Sequence, residues 1–145
     1  MIVKIKLEEG ASVPFKKHAN DFCYDLVATS CEEIAPNVYK YGTGVHVQCD
    51  QYKGSPIHAG FLIHPRSSVW KTGMVLSNCV GVIDEGYTGE ISAVFYHVMP
   101  NMPKYKVGDK IGQLRFQTSE DINWDNVMFL DETERGEGGY GSTGK

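Results

Sequence analysis

Two parts of this 145-residue chain carry the residue types that handle phosphates. One is the C-terminal stretch "RGEGGYGSTGK", residues 135–145. Its five glycines let backbone N–H groups approach a ligand closely and form an anion-binding nest. Arg135 adds a bidentate cation, Ser142 and Thr143 add hydroxyl donors, and Tyr140 offers a flat face to a nucleobase. "GYGSTGK" also satisfies G-x-x-x-x-G-K, the pattern of a nucleotide P-loop. That reading needs a buried strand before it and a helix after it, with Ser or Thr following the lysine. No helix is expected to follow Lys145, so the P-loop reading is rejected. Ordering about ten residues costs roughly 10–20 kcal/mol of backbone entropy. The segment is therefore expected to stay mobile until a highly charged ligand supplies several charge-assisted hydrogen bonds, as a lid over a polyphosphate. A glycine-rich tail with no ligand fits the same composition.

The other part is "GVIDEGYTGE", residues 81–90, which reads as a strand, a turn at Glu85-Gly86 and a returning strand. A carboxylate at such a tip, here Asp84, can hold and polarise a water near a phosphorus. Aspartate is a weak base, so orientation is its main contribution, with transition-state charge left to cations. A plain turn aspartate is the alternative. In "PRSS", Pro65 is expected to start a short helix capped by Ser67 or Ser68. Arg66 and the two serines at that helix start would make a phosphate site, or merely a capped helix with a surface arginine.

The elements that position these residues read as β-strands. Val3, Ile5 and Leu7 alternate with lysines, and Val45, Val47 and Cys49 with polar residues. Two longer runs, Ile57-Ala59-Phe61-Ile63 and Ile91-Ala93-Phe95-His97, have the same period of two. Short strands broken by Gly, Pro and Asn indicate an all-β sandwich or barrel of one domain. No internal repeat interrupts it. Beyond residue 131 the composition turns charged and glycine-rich, giving an expected domain over 1–134 and a mobile tail over 135–145. Net charge is −4, against a nucleic-acid groove as the main surface. No apolar run approaches a membrane span, and the N-terminus lacks a secretory signal, so a cytoplasmic location is expected. Cys23, Cys31, Cys49 and Cys79 form no C-x-x-C pair and read as reduced thiols, several of them buried. The five histidines receive no metal and no catalytic role.

In order, the chain carries "FCYDLVA", "PRSS", "NCVGVIDEGYTGE", "VGDKIGQLRF" and "RGEGGYGSTG". Together these resemble the five ordered motifs of the trimeric dUTPases, across nearly the whole chain. The resemblance implies a jelly-roll-like β-barrel, a homotrimer, magnesium, and hydrolysis of dUTP to dUMP and pyrophosphate. That reaction supplies dUMP and keeps uracil out of DNA. The resemblance makes Asp84 the water-positioning carboxylate and a contact of the sugar 3′-hydroxyl. Tyr87 would lie beneath the deoxyribose and leave no room for a 2′-hydroxyl. Asn78 and the backbone of Val82 and Ile83 would read uracil. Arg66, Ser67 and Ser68 would face the α- and β-phosphates, with Gln113 near the phosphates and water. Asp25 would support the metal through water, magnesium being held mainly by the triphosphate. Arg135, Ser142 and Thr143, with Gly141 among the substrate-binding residues, would grip the γ-phosphate while Tyr140 stacks on the base. This last segment would cross to a site built by two other subunits.

Each assignment has a plainer counterpart: a turn for Asn78, cross-strand packing for Tyr87, a half-exposed polar position for Gln113 and a strand-end carboxylate for Asp25. Asp109 and Lys110 read as structural turn residues. Phe22, Cys23, Gly86, Lys110 and Tyr140 depart from the usual pattern. Gly86 also suits the related dCTP deaminases. Those need a glutamate ten residues beyond the motif's aspartate, where this chain has Val94, and an arginine where it has Lys71. A regulatory trimer that binds dUTP as a signal is the other alternative.

Overall fold

The computed structural model describes residues 2–139. Ten strands appear in chain order: β1 (Lys4–Leu7), β2 (Tyr24–Val27), β3 (Ser30–Ala35), β4 (Val38–Gly42), β5 (Val45–Gln48), β6 (Ile57–His64), β7 (Met74–Leu76), β8 (Gly81–Ile83), β9 (Ser92–His97) and β10 (Lys110–Glu120). They form a β1-β5 ribbon and two four-stranded sheets, ordered β2-β10-β6-β8 and β3-β4-β9-β7, with antiparallel neighbours throughout. The architecture is all-β and jelly-roll-like, its barrel opened into separate sheets.

The alternation read from the sequence does place the core. Ala59 and Ile63 of β6, Val45 and Val47 of β5, and Ala93 and Phe95 of β9 are buried. One cluster joins Leu26, Ile63, Ile83 and Leu114 of the first sheet to Val45 and Val47 of the ribbon. The other joins Tyr39, Tyr41, Met74, Leu76 and Phe95 of the second sheet to Ile111 of β10. Burying each such side chain contributes about 1.5–3 kcal/mol. The Tyr41 hydroxyl, fully enclosed, donates to the Tyr105 carbonyl at 2.9 Å, which satisfies that buried donor.

Several expectations change. No helix starts at Pro65; one 3₁₀ turn, Val69–Lys71, follows, and the Ser68 side chain makes no capping bond. Pro65 and Arg66 follow β6 without regular secondary structure, and Ser67 and Ser68 lie in a turn before the 3₁₀ segment, so the reading of "PRSS" as a helix start does not hold. The returning strand after Asp84 does not pair with β8. β8 belongs to the first sheet and β9 to the second, so residues 84–91 form a crossover rather than a hairpin. Polar contacts redirect the chain: the Glu90 carboxylate accepts from the Gly44 N–H at 2.8 Å, and the Thr43 hydroxyl donates to the Ile91 carbonyl at 2.6 Å. All four cysteines are free, yet only Cys49 is buried.

β1 keeps its alternation without a cover. Ile5 and Leu7 are about two-fifths exposed. Ile5 borders an open apolar groove with Val13, Tyr24, Phe61 and Phe116. Past Glu120 the described chain has no regular secondary structure, and Trp124, Met128, Phe129 and Leu130 are each more than four-fifths exposed. No helix among the described residues is long and apolar enough to cross a membrane.

Candidate active site

The first sheet lines up the motif residues on its outer face. Asp25 of β2 is paired with Gln113 of β10, and Gln113 with His64 of β6. Inward-pointing Leu26 and Leu114 bury the other face, which fixes which way Asp25 and Gln113 point. Asp25 is only 7% exposed, so its charge needs partners. It has three. Lys110 Nζ stands 2.8 Å from Oδ2, and Arg66 Nε lies 3.4 Å from Oδ1. The Gln113 amide donates to Oδ1 at 3.4 Å. Burial pushes the Asp25 carboxyl up, but the Lys110 hydrogen bond, the Arg66 and Lys110 charges and the Gln113 amide outweigh it and hold it below the usual carboxylate range.

Sequence reasoning left Lys110 as a turn residue. Three positions separate it from Gln113, which in a regular strand means opposite faces. A β-bulge between Lys110 and Gly112 inserts one residue and returns Lys110 to the face of Gln113. Its ammonium then sits over the Phe15 ring, 4.5 Å from the centroid. Asp109 is structural, accepting from the Lys106 N–H at 2.7 Å. His64 lies beside Pro65 and across from Gln113, and its Nε2 is buried with no hydrogen-bond partner among the described residues.

A testable consequence concerns acid stability. A carboxyl whose folded pKa is depressed stabilises the fold above its unfolded value, about 3.9, and loses that contribution as pH falls through the folded value. Asp25→Asn keeps the shape but removes the charge that Arg66 and Lys110 face. We expect it to lower unfolding stability by about 1–3 kcal/mol at pH 7, with the gap from wild type closing below about pH 4. Urea titrations across that range measure it.

The other motif residues sit elsewhere on the sheet. Asp84 follows β8, exposed, and its carbonyl accepts from the Tyr87 N–H at 3.0 Å, closing the turn over Glu85-Gly86. The Tyr87 hydroxyl donates to the Glu90 carbonyl at 3.0 Å. The ring lies over Gly89, where an added Cβ would meet it at 2.5 Å. Tyr87 remains 45% exposed, so the other side of the ring is open. Val82 points outward and Ile83 inward. Asn78 is exposed in the turn before β8, its side-chain nitrogen near Gly81, and the next residue, Cys79, holds φ +58°. Ser67 is exposed and Ser68 half-buried beyond Arg66. Arg135 donates to the Gly138 carbonyl at 3.0 Å in a local turn. Tyr140, Gly141, Ser142 and Thr143 lie outside the described residues.

The sheet register separates the two halves of this set. Asp84 is level with Gly60 on β6, while the Asp25–Gln113 row is level with His64. Four residues of strand span about 13 Å, and three strand spacings separate β8 from β2. Asp84 and Asp25 of one chain are thus on the order of 20 Å apart.

Comparison with solved structures gives the same fold. The Staphylococcus bacteriophage 80alpha dUTPase, in a mutant form with dUpNHpp, superposes with a TM-score of 0.79 over 99% of each chain at 22% identity. A mutant dUTPase of phage phi11 of S. aureus, in which a structural Mg(II) ion is described, gives a TM-score of 0.70 over 91% of this chain and all of the other, at 20% identity. In sequence, the chain belongs to the dUTPase family, whose model matches residues 9–144. The deoxyuridine 5′-triphosphate nucleotidohydrolase of Nocardia farcinica is 38% identical, over 96% of this chain and 82% of that protein. The enzyme of the same name from Clostridium tetani is 34% identical, over 99% and 97%.

Proposed function

We propose that this chain hydrolyses dUTP to dUMP and pyrophosphate. The observation that carries the proposal is the family match over residues 9–144, which spans all five motif segments. In the proposed mechanism Asp84 aims a water at the α-phosphorus. The backbone at Val82 and Ile83, with Asn78, reads the uracil edge, where a cytosine would leave polar groups unpaired. Tyr87 packs under the sugar. Arg66, Ser67, Ser68 and Gln113 hold the phosphate end, Asp25 fixing Arg66 and Gln113 in place.

Reacting atoms must come within about 3–3.5 Å. Asp84 and the Asp25–Arg66–Gln113 group of one chain are too far apart to serve the same phosphorus. A complete site therefore takes its water-positioning turn from one subunit and its phosphate clamp from another. The open groove beside Ile5 and the exposed apolar stretch around Trp124 and Phe129 suit such an assembly, which we propose is a homotrimer. We further propose that residues 135–145 close over the site, Arg135, Gly141, Ser142 and Thr143 on the γ-phosphate and Tyr140 on the base.

The residues present fit a magnesium ion carried by the substrate rather than a protein cage. Among the described residues no three His, Cys, Asp or Glu side chains gather to hold a metal. Asp25 is turned to its cations, leaving its remaining lone pairs for the ion's water shell. Magnesium bound to the triphosphate would neutralise phosphate charge.

The deciding experiment is product identification after incubation with dUTP, dCTP, dTTP and UTP. Pyrophosphate and dUMP from dUTP alone are expected; equal rates on all four would remove the substrate assignment. A second check concerns Gly60. A Cβ there would stand 2.7 Å from the Ile83 carbonyl and 4.0 Å from the Asp84 Cα. Backbone has to give way, so Gly60→Ala should shift the uracil-reading strand and Asp84 together. We expect kcat/KM for dUTP to fall about tenfold or more. Steady-state kinetics of the variant, with circular dichroism as the folding control, tests it.

A further inference from the structure

His58 stands on β6, paired with Ser119 of β10, and takes no part in the motifs. Its Nδ1 lies 3.1 Å from Glu85 Oε2, and its Nε2 lies 3.1 Å from Asp121 Oδ1. Both partners are carboxylates, which only accept hydrogen bonds when ionised. A neutral imidazole carries one N–H, so its other nitrogen would turn a lone pair towards a carboxylate oxygen. The geometry is satisfied only by the imidazolium, donating from both nitrogens.

We propose that His58 is a positioning residue for dUTP hydrolysis: as an imidazolium it ties the turn that carries Asp84 to the end of β10, holding Glu85 with one nitrogen and Asp121 with the other. The catalytic consequence rests on the reading of this chain as a dUTP hydrolase; the clamp rests on the geometry alone.

The two partners are not equivalent. Asp121 is held through its backbone, its N–H donating to the Pro56 carbonyl at 3.0 Å, while its side chain reaches His58 from solvent. Glu85 is the part that can move. Its side chain is 26% exposed, and its second oxygen, Oε1, is buried without a hydrogen-bond partner among the described residues. A carboxylate so placed depends on the cation beside it. Without that cation Glu85 has reason to turn towards water. The turn has room to follow, because nothing lies within 4 Å of the point where a Cβ on Gly86 would be. Glu85 and His58 also form the wall between two cavities: one bordered by Asp84 and Val82, the other by the 50–55 loop. Moving Glu85 would therefore reshape the space beside Asp84.

The charges facing His58 favour the proton. Glu85 comes from the crossover, Asp121 from beyond β10, and Asp84 from across the first cavity. The loop that borders the second cavity contributes Asp50, Tyr52 and the cation Lys53. Hydrogen bonds donated to Glu85 and then to Asp121, with the Asp121 charge, hold the imidazole above the ordinary histidine value. A raised value means that the clamp is closed at lower pH and is lost as pH rises through it.

The test uses the full-length chain. Imidazole NMR titration without nucleotide reads the clamp directly, and kcat and KM for dUTP across about pH 5.5–9 read its consequence. His58 is expected to titrate above about 6.5 in wild type and lower in Glu85→Gln. In wild type kcat should decline as His58 loses its proton. His58→Gln should have kcat lowered about tenfold with the histidine limb absent, and Glu85→Gln should lose the same limb. Wild-type kcat and pH profile in His58→Gln would overturn the positioning role, and an ordinary or lower titration of His58 would overturn the clamp. If wild type turned over no dUTP at any pH, the hydrolase reading and the catalytic role would fall together. The imidazole titration would still decide the clamp by itself.

Discussion

Asp84→Asn is expected to bind dUTP with an affinity close to that of wild type and to turn it over about 100- to 10,000-fold more slowly. The substitution keeps side-chain size and the ability to hydrogen-bond a sugar hydroxyl. It removes the negative charge and one acceptor, which in the proposed mechanism orient a water with its lone pair towards phosphorus. The Asp84 side chain is exposed, so its loss leaves no buried partner unpaired. The defect should therefore appear in kcat and not in thermal stability. Isothermal titration with a non-cleavable dUTP analogue, beside steady-state kinetics, separates the two. Undiminished turnover would remove Asp84 from the water-positioning role.

What the sequence revealed and what it hid follow from the physics of each feature. A period of two marks a buried strand face directly, and so Ala59, Ile63, Ala93 and Phe95 could be placed before any coordinates. The family was legible because the five motif segments are distinctive in residue type and order. Partnerships across the sheet were not. Asp25 and Lys110 are 85 positions apart, and the bulge that brings them to one face leaves no mark on the apolar pattern. The crossover after Asp84 read as a hairpin because a turn with Gly86 has the same local signature in either case. What distinguishes the crossover is a set of contacts remote in sequence, Glu90 to the Gly44 N–H and Thr43 to the Ile91 carbonyl, at the corner where the chain passes to the second sheet. The expected helix at Pro65 rested on capping types alone, and three residues of 3₁₀ turn were all that followed. The exposed apolar side chains from Ile122 to Leu130 have a related cause: periodicity shows that a face is apolar, not which molecule covers it.

Deleting residues 135–145 is expected to lower kcat/KM for dUTP at least ~100-fold while leaving the midpoint of thermal unfolding within about 2 °C of wild type. The stability half follows from the contacts. Within the described part of this stretch, Arg135 and Gly138 bond to each other, and Gly136 bonds back to Thr133. These are local turn contacts, none of them reaching a strand. The activity half follows from charge. In the proposed site the γ-phosphate meets its cation and hydroxyl donors only when this stretch closes, and such preorganised donors act most strongly once water is excluded. In that proposal, ordering about ten residues would cost roughly 10–20 kcal/mol, which several charge-assisted bonds would have to offset at once, so closure would require the full triphosphate. The deletion should therefore cost dUTP more than dUDP, which offers no γ-phosphate to grip. Measuring kcat/KM for both nucleotides in both proteins gives the ratio. If truncation left the preference for dUTP over dUDP unchanged, the stretch would have no hold on the terminal phosphate, and selectivity would have to reside in the Arg66–Gln113 end of the sheet.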